Sequence, residues 1–118
     1  NITFFNPRRP IWDANLPQDP REGTEFHKQV TWEIDRQEQA NLRVYYFDPL
    51  TISPITLLEL GAYNTRFNYV CCPKDYFRRG NVELFCQRYN ILMLDTWEQL
   101  IEKTNTLILY TASCWNSF

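Results

Sequence analysis

Two carboxylates and one hydroxyl stand where their neighbours suit them to chemistry. In the run Ser53-Pro54-Ile55-Thr56-Leu57-Leu58-Glu59-Leu60-Gly61, Glu59 is the single acidic residue, flanked by Leu57, Leu58 and Leu60. Such a segment reads as a helix with a narrow polar face, and a carboxylate held among apolar groups is displaced toward its neutral form. Glu33 lies inside an apolar helical arc of its own. Phe26, Val30, Ile34 and Ala40 fall within about 120° of one another at 100° per residue. Desolvation and mutual repulsion drive apart the pKa values of two acids beside one sheet, which suits them to acid–base or nucleophilic work. Plainer roles stay open: Ser53 as a helix cap, Glu59 as a surface residue, and Glu33 rolled toward solvent.

Those residues need a scaffold. Ile2 to Phe5 is β-branched and aromatic and ends at Asn6-Pro7, so a strand is predicted there. A long loop follows with Pro7, Pro10, Pro17 and Pro20, together with Arg8, Arg9, Trp12 and Asp13; ordered domains rarely keep such connections without a use for them. A helix from a capping Thr24, a buried strand over 42–47, and a helix opening at Ser53-Pro54 and running to Gly61 or Tyr63 come next. A strand over 67–72, a helix from Asn81 to Tyr89, a strand over 91–94 and a helix from Asp95 or Thr96 to Lys103 complete the pattern. Thr106 to Tyr110 then reads as an edge strand or a packed tail. This alternation predicts a mostly parallel α/β sheet with helices on both faces. Ligands in such sheets bind beyond the carboxyl ends of the strands, so the loops after Phe5, Phe47 and Cys72 should form one rim. They carry Asn6, Arg8 and Arg9; Asp48 and Ser53; and Asp75, Arg78, Arg79 and Asn81.

Composition narrows the classes. The 118 residues suffice for one domain, 1–118, with its tail from 105 unassigned. Twelve basic against 14 acidic residues, for a net charge of -2, argue against a nucleic-acid polymer as partner. No apolar run reaches the roughly 18 residues of a membrane span, and Asn1 to Pro10 lacks the regions of a signal peptide, which points to a cytoplasmic chain off the membrane. One histidine, His27, and four cysteines give no metal cluster, and the adjacent Cys71 and Cys72 in an apolar run read as buried free thiols.

The motifs together resemble a known family. Asn6-Pro-Arg-Arg-Pro10 with Trp12-Asp13, Gln29-Val-Thr-Trp-Glu33, Tyr46-Phe-Asp-Pro49, the Ser53 to Gly61 string and Arg78-Arg-Gly-Asn-Val82 are similar, in order and spacing, to the nucleoside 2-deoxyribosyltransferase-like proteins. The similarity spans about Ile2 to Ile101. It implies a flavodoxin- or Rossmann-like three-layer sandwich and a small-molecule nucleoside or nucleotide substrate, with no cofactor. It also implies that Glu59 is the nucleophile at the anomeric carbon and that Glu33, 26 positions earlier, is the assisting acid. Ser53, six positions before Glu59, matches the serine that binds 5'-phosphate in related nucleotide N-hydrolases, and Asn81 matches an asparagine donated across a subunit interface. Asn6, Arg8, Asp48 and Arg79 are further candidates for substrate contact, and Trp12 and Tyr46 either stack on a nucleobase or pack in the core.

Departures from the family carry expectations too. Its opening strand, which lies mid-sheet and leads into a glycine-containing loop, has no counterpart in these residues, so either the sequence is a fragment or processed form or a neighbouring strand closes the gap, and a homo-oligomer is expected to cover the exposed sheet. Ser53 stands where the transferases keep an acidic residue, which favours hydrolysis of a 5'-monophosphate over base exchange. A catalytically impaired nucleotide-binding module and a secreted disulfide-linked binding domain are the rival readings.

Overall fold

The computed structural model describes residues 2–7 and 15–116, with side chains through 111. The chain forms two compact units, Asn1–Ala40 and Asn41–Phe118.

In the first unit, Gly23 takes a positive φ of 87° and turns the chain into Thr24, whose hydroxyl accepts from the His27 N–H at 3.1 Å. That cap satisfies one of the donors a helix start leaves free. Helix α1, Glu25–Gln39, follows. None of its residues is fully buried, and Ile34, assigned to the apolar arc, is 46% exposed. The expected strand over Ile2–Phe5 does not form. The segment is irregular and Phe4 is 76% exposed. An isolated strand satisfies no ladder bonds, so β propensity alone does not hold it in one.

The second unit holds a parallel sheet in the order β1-β2-β3, with β1 Arg43–Tyr46, β2 Asn68–Cys71 and β3 Leu92–Leu94. Val44 lies opposite Tyr69, and Tyr69 opposite Leu92. Side chains alternate across the strands. One face sets Tyr45, Phe47, Val70 and Cys72 against Leu60 of α2 (Pro54–Ala62) and Val82 and Cys86 of α3 (Arg79–Arg88). The other sets Tyr69 and Cys71 against Leu100 of α4 (Trp97–Asn116), with Leu94 and Leu107 beside them. Helices thus cover both faces of the sheet, an α/β Rossmann-like arrangement. Each fully buried side chain of this size removes enough apolar surface to contribute about 1.5 to 3 kcal/mol.

Central β2 is buried along its whole length, whereas β1 alternates buried and exposed residues. The expectation of a buried strand over 42–47 is therefore corrected to a shorter edge strand. Residues 43, 45 and 47 direct their backbone groups toward β2, as the Arg43 N–H to Phe67 and Phe47 N–H to Cys71 bonds show. Parallel geometry turns those of Val44 and Tyr46 to the side on which, among the described residues, no strand pairs with β1. At the amino end of the sheet the buried Arg43 donates through Nε to Asn68 Oδ1 at 3.0 Å, and Asn68 donates to the Tyr63 carbonyl at 2.8 Å. The pair keeps two buried polar side chains satisfied.

The largest correction lies after Lys103. Thr106–Tyr110 is not a strand but part of the twenty-residue α4, whose Leu107 packs on the core. No Gly or Pro interrupts the segment. The hydroxyls of Thr104, Thr106 and Thr111 donate to carbonyls four residues back, so β-branched residues that favour a strand are held in the helix. Among the described residues no helix is long and apolar enough to cross a membrane.

Candidate active site

Helix α2 forms because Pro54, at its first turn, brings a preset φ and has no N–H to satisfy. Glu59 sits in its second turn, half-buried, one residue before the buried Leu60 that fixes the helix on the sheet. Its carboxylate is felt on β1. The buried Tyr45 phenol is pushed well above its ordinary range, first by burial and then by the charge of Glu59. Burial keeps this phenol protonated, so Tyr45 remains a neutral neighbour of the acid.

Ser53 occupies the cap position of α2, yet its hydroxyl makes no capping bond. Its backbone is left-handed, with φ 53° and ψ 50°, a conformation that L-residues adopt at a cost. The hydroxyl instead lies 2.6 Å from Thr51 Oγ1. The first helical bond runs from the Leu57 N–H to the Ser53 carbonyl at 3.1 Å. Among the described residues the Ile55 and Thr56 N–H groups are left without a cap, and no acidic side chain stands in the first turn. An unneutralised helix start of this kind favours an anion.

The loop between β1 and α2 is organised by Asp48. Its Oδ1 accepts from the Leu50 N–H at 2.9 Å, and its carbonyl accepts from both the N–H and the hydroxyl of Thr51. The loop after β2 meets it. Tyr76, 2% exposed, packs on Phe47 with ring centroids 5.1 Å apart and donates its hydroxyl to the Ile52 carbonyl at 2.6 Å. The loops after Phe47 and Cys72 thus come together at the carboxyl ends of β1 and β2.

Arg79 opens α3, two residues before the expected start at Asn81, and its guanidinium is occupied within the scaffold. It donates to the Cys72 carbonyl and pairs with Asp95 at 2.8 Å, linking the ends of β2 and β3. Its Nε lies 3.8 Å from a Glu83 carboxylate oxygen. A groove of about 570 Å³ along α3 and β3 is lined by Arg79, Glu83, Cys86, Gln87, Met93 and Asp95, among others. Ser53, Asp48 and Glu59 do not line it. Asn81 is exposed in the first turn of α3, and Arg78 lies over the Phe77 ring at 5.3 Å.

The remaining candidates belong to the first unit. Glu33 is half-buried on α1 and accepts from Gln29 Nε2 at 3.0 Å; the same amide nitrogen donates to the Pro7 carbonyl at 3.0 Å. Gln29 thus links Glu33 to the start of the long loop, next to the exposed Asn6. Arg8, with Arg9, Trp12 and Asp13, lies outside the described residues. Tyr46, weighed as a stacking residue, is 39% exposed and meets Trp97 edge-on at 5.2 Å.

Sequence reasoning passed over Tyr76 and Thr51. Residue type could not have singled out Tyr76, because its neighbour Phe77, in the same charged loop, is 58% exposed. Cys71 and Cys72 are free and buried, as expected, and so is Cys86. Adjacent positions on β2 send Cys71 and Cys72 to opposite faces. Burial raises the Cys72 and Cys86 thiols to about 11, which leaves them unreactive near neutral pH and counts against a disulfide scaffold built on them.

The sequence model of a family described as nucleoside 2-deoxyribosyltransferase like matches residues 1–76. The match covers α1, β1, α2 and β2 and ends at Tyr76. No curated protein matches the chain.

Proposed function

Because the chain belongs to the nucleoside 2-deoxyribosyltransferase-like family, we propose that it cleaves the N-glycosidic bond of a nucleoside 5'-monophosphate, with Glu59 as nucleophile. The observation that carries this reading is the build of α2. One helix presents an uncapped amino end beside the Ser53 hydroxyl and, a turn later, a half-buried carboxylate coupled to Tyr45.

In this reading a Glu59 carboxylate oxygen attacks C1' of the sugar. The C1'–N bond breaks, and its electron pair leaves with the base, which takes a proton from the Glu33 carboxyl. The glycosyl ester then meets water. As the water oxygen bonds to C1', the ester C–O bond breaks, one proton returns to Glu33, and Glu59 is freed as the carboxylate. Ser53 and the first N–H groups of α2 receive the 5'-phosphate. Asn6, Arg8, Asp48 and Arg79 serve the sugar, base and phosphate, Arg79 through the strand ends it links. Hydrolysis is favoured over transfer because a hydroxyl rather than an acid stands at position 53.

The test is release of free base from a panel of nucleosides and 5'-monophosphates, read by chromatography, with Glu59→Gln and Glu33→Gln alongside. Both variants should keep the circular dichroism of the parent while losing base release. A folded Glu59→Gln protein with full turnover overturns the reading.

The side of β1 at Val44 and Tyr46, where among the described residues no strand pairs, supports a homo-oligomer, and the resemblance of Asn81 to an interface asparagine supports its completing a neighbour's site. Mixing inactive Glu59→Ala with inactive Asn81→Ala subunits should then restore part of the activity. A monomer by light scattering, or no recovery on exchange, removes the shared site without touching Glu59.

A further inference from the structure

The geometry points to Tyr76 as the positioning residue that holds Ser53 in its working conformation, through the hydrogen bond from its hydroxyl to the carbonyl of Ile52. This inference rests on the phosphate role proposed for Ser53 and adds a residue to it.

Ser53 needs holding. Its left-handed backbone, immediately before a proline, is one that a non-glycine residue keeps only when its surroundings impose it. The side chain gives little help, since the Ser53 hydroxyl spends its contact on Thr51 and caps nothing. Ile52 itself is 67% exposed, so packing does not pin the residue before Ser53. What does reach it is the Tyr76 hydroxyl, at 2.6 Å, from a point 24 residues further along the chain.

Tyr76 is anchored well enough to act as a fixed post. Its ring is among the fully buried side chains of the core and touches Phe47 at the end of β1. Its backbone is tied on both sides: its N–H donates to the Pro73 carbonyl and its carbonyl accepts from the Arg79 N–H. Arg79 in turn links Cys72 and Asp95. A rigid chain of contacts therefore runs from the strand ends through Tyr76 to Ile52, one peptide ahead of Ser53. Burial also raises the Tyr76 phenol above its ordinary range, so the hydroxyl stays a donor. A bond between two loops at a rim fixes the entry to α2 as a cap would, without using the first N–H groups of the helix.

The experiment is Tyr76→Phe, which keeps the buried ring and removes only the donor. The freed Ile52 carbonyl lies near solvent, so thermal stability should hold close to that of the parent. Amide hydrogen exchange over residues 51–57 should quicken about five- to tenfold, with exchange in β2 unchanged. Inorganic phosphate, titrated against the amide signals of Ser53 and Ile55, should bind about five- to tenfold more weakly. The KM for a 5'-monophosphate should rise by a similar factor while kcat and the KM for the matching nucleoside stay constant. Tyr76→Phe added to Ser53→Ala should do no further harm to KM, because both act on one contact. Parental exchange over 51–57 in Tyr76→Phe, or effects of the two substitutions that simply multiply, overturns the inference. Should the parent release no base at all, the glycosidic reading fails, while the exchange and phosphate titrations still decide the role of Tyr76.

Discussion

Helices α4 and α2 begin in opposite ways within the same unit. At α4 side chains cap the start: Thr96 Oγ1 accepts from the Gln99 N–H at 3.1 Å, and the Gln99 side chain accepts from the N–H groups of Asp95 and Thr96 at 2.9 and 3.2 Å. This is a reciprocal capping box, with the acidic Glu98 beside it in the first turn. At α2 the cap position is held by a serine in a left-handed conformation whose hydroxyl caps nothing, and Pro54 contributes no N–H. Thr96 is followed three residues later by Gln99, which completes a box, whereas Ser53 is followed there by Thr56, which cannot. The difference is a helix start with a side-chain cap and an acidic first turn beside one with neither and with a left-handed cap residue, a pattern typical of sites where function displaces local stability.

The sharpest break between the two helices is in their carboxylates. If α2 is the working helix, Glu59→Gln should lower base release by about a thousandfold or more, the scale on which removal of a nucleophile acts. Glu102→Gln, on an exposed position of α4, should leave turnover unchanged and stability within about 0.5 kcal/mol. Equal effects would erase the functional contrast.

The caps themselves should separate next. Ser53→Ala should raise the KM for a 5'-monophosphate by roughly 10- to 150-fold, the equivalent of a lost hydrogen bond to a charged group at about 1.5 to 3 kcal/mol, and leave the nucleoside KM alone. Thr96→Ala should do the reverse. Its loss is one of stability, about 1 kcal/mol or about 4 to 8 °C in Tm, with no change in either KM. Michaelis constants on paired substrates and thermal melts of both variants check the four values together. A Ser53→Ala protein that loses stability like Thr96→Ala, with equal changes on both substrates, reduces Ser53 to an ordinary cap.

The same pair of helices shows what the sequence reveals and where it stops. Ser53-Pro54 announces the start of α2 because proline chemistry is local, and Thr24 announces α1 for the same reason. The strands over 67–72 and 91–94 are legible from short apolar runs bounded by turns. The end of α4 is not. Thr106 to Tyr110 has strand-like composition, and only the Leu100–Leu107 face packed on Tyr69 and Cys71 decides for a helix, which is a tertiary fact. Ile2–Phe5 fails in the other direction, since a strand needs a partner that composition does not supply. In the candidate site, residue types and family resemblance drew attention to Glu59, Ser53 and Asp48. They did not reveal that Ser53 is left-handed, that Arg79 turns to Asp95 and Cys72, or that Tyr76 bridges two loops, because each depends on contacts between segments distant in the chain.

The smallest effect tests the backbone of Ser53 apart from its hydroxyl. A left-handed φ of 53° costs an L-residue roughly 1 kcal/mol, and glycine escapes that cost because it has no Cβ to crowd the carbonyl. Glycine also gives the unfolded chain more freedom, which offsets part of the gain. Ser53→Gly should therefore be more stable than the parent by less than about 1 kcal/mol, while Ser53→Ala, which keeps the Cβ, should be no more stable than the parent. Both lose the Thr51 contact and the phosphate contact alike, so their KM values for the 5'-monophosphate should rise together. Thermal melts then order the three proteins as Gly above Ser, with Ala no higher than Ser, and kinetics separate Ser from the other two. If Ser53→Gly melts no higher than Ser53→Ala, the left-handed backbone carries no cost, and the claim that α2 gives up stability at its start fails on that measurement.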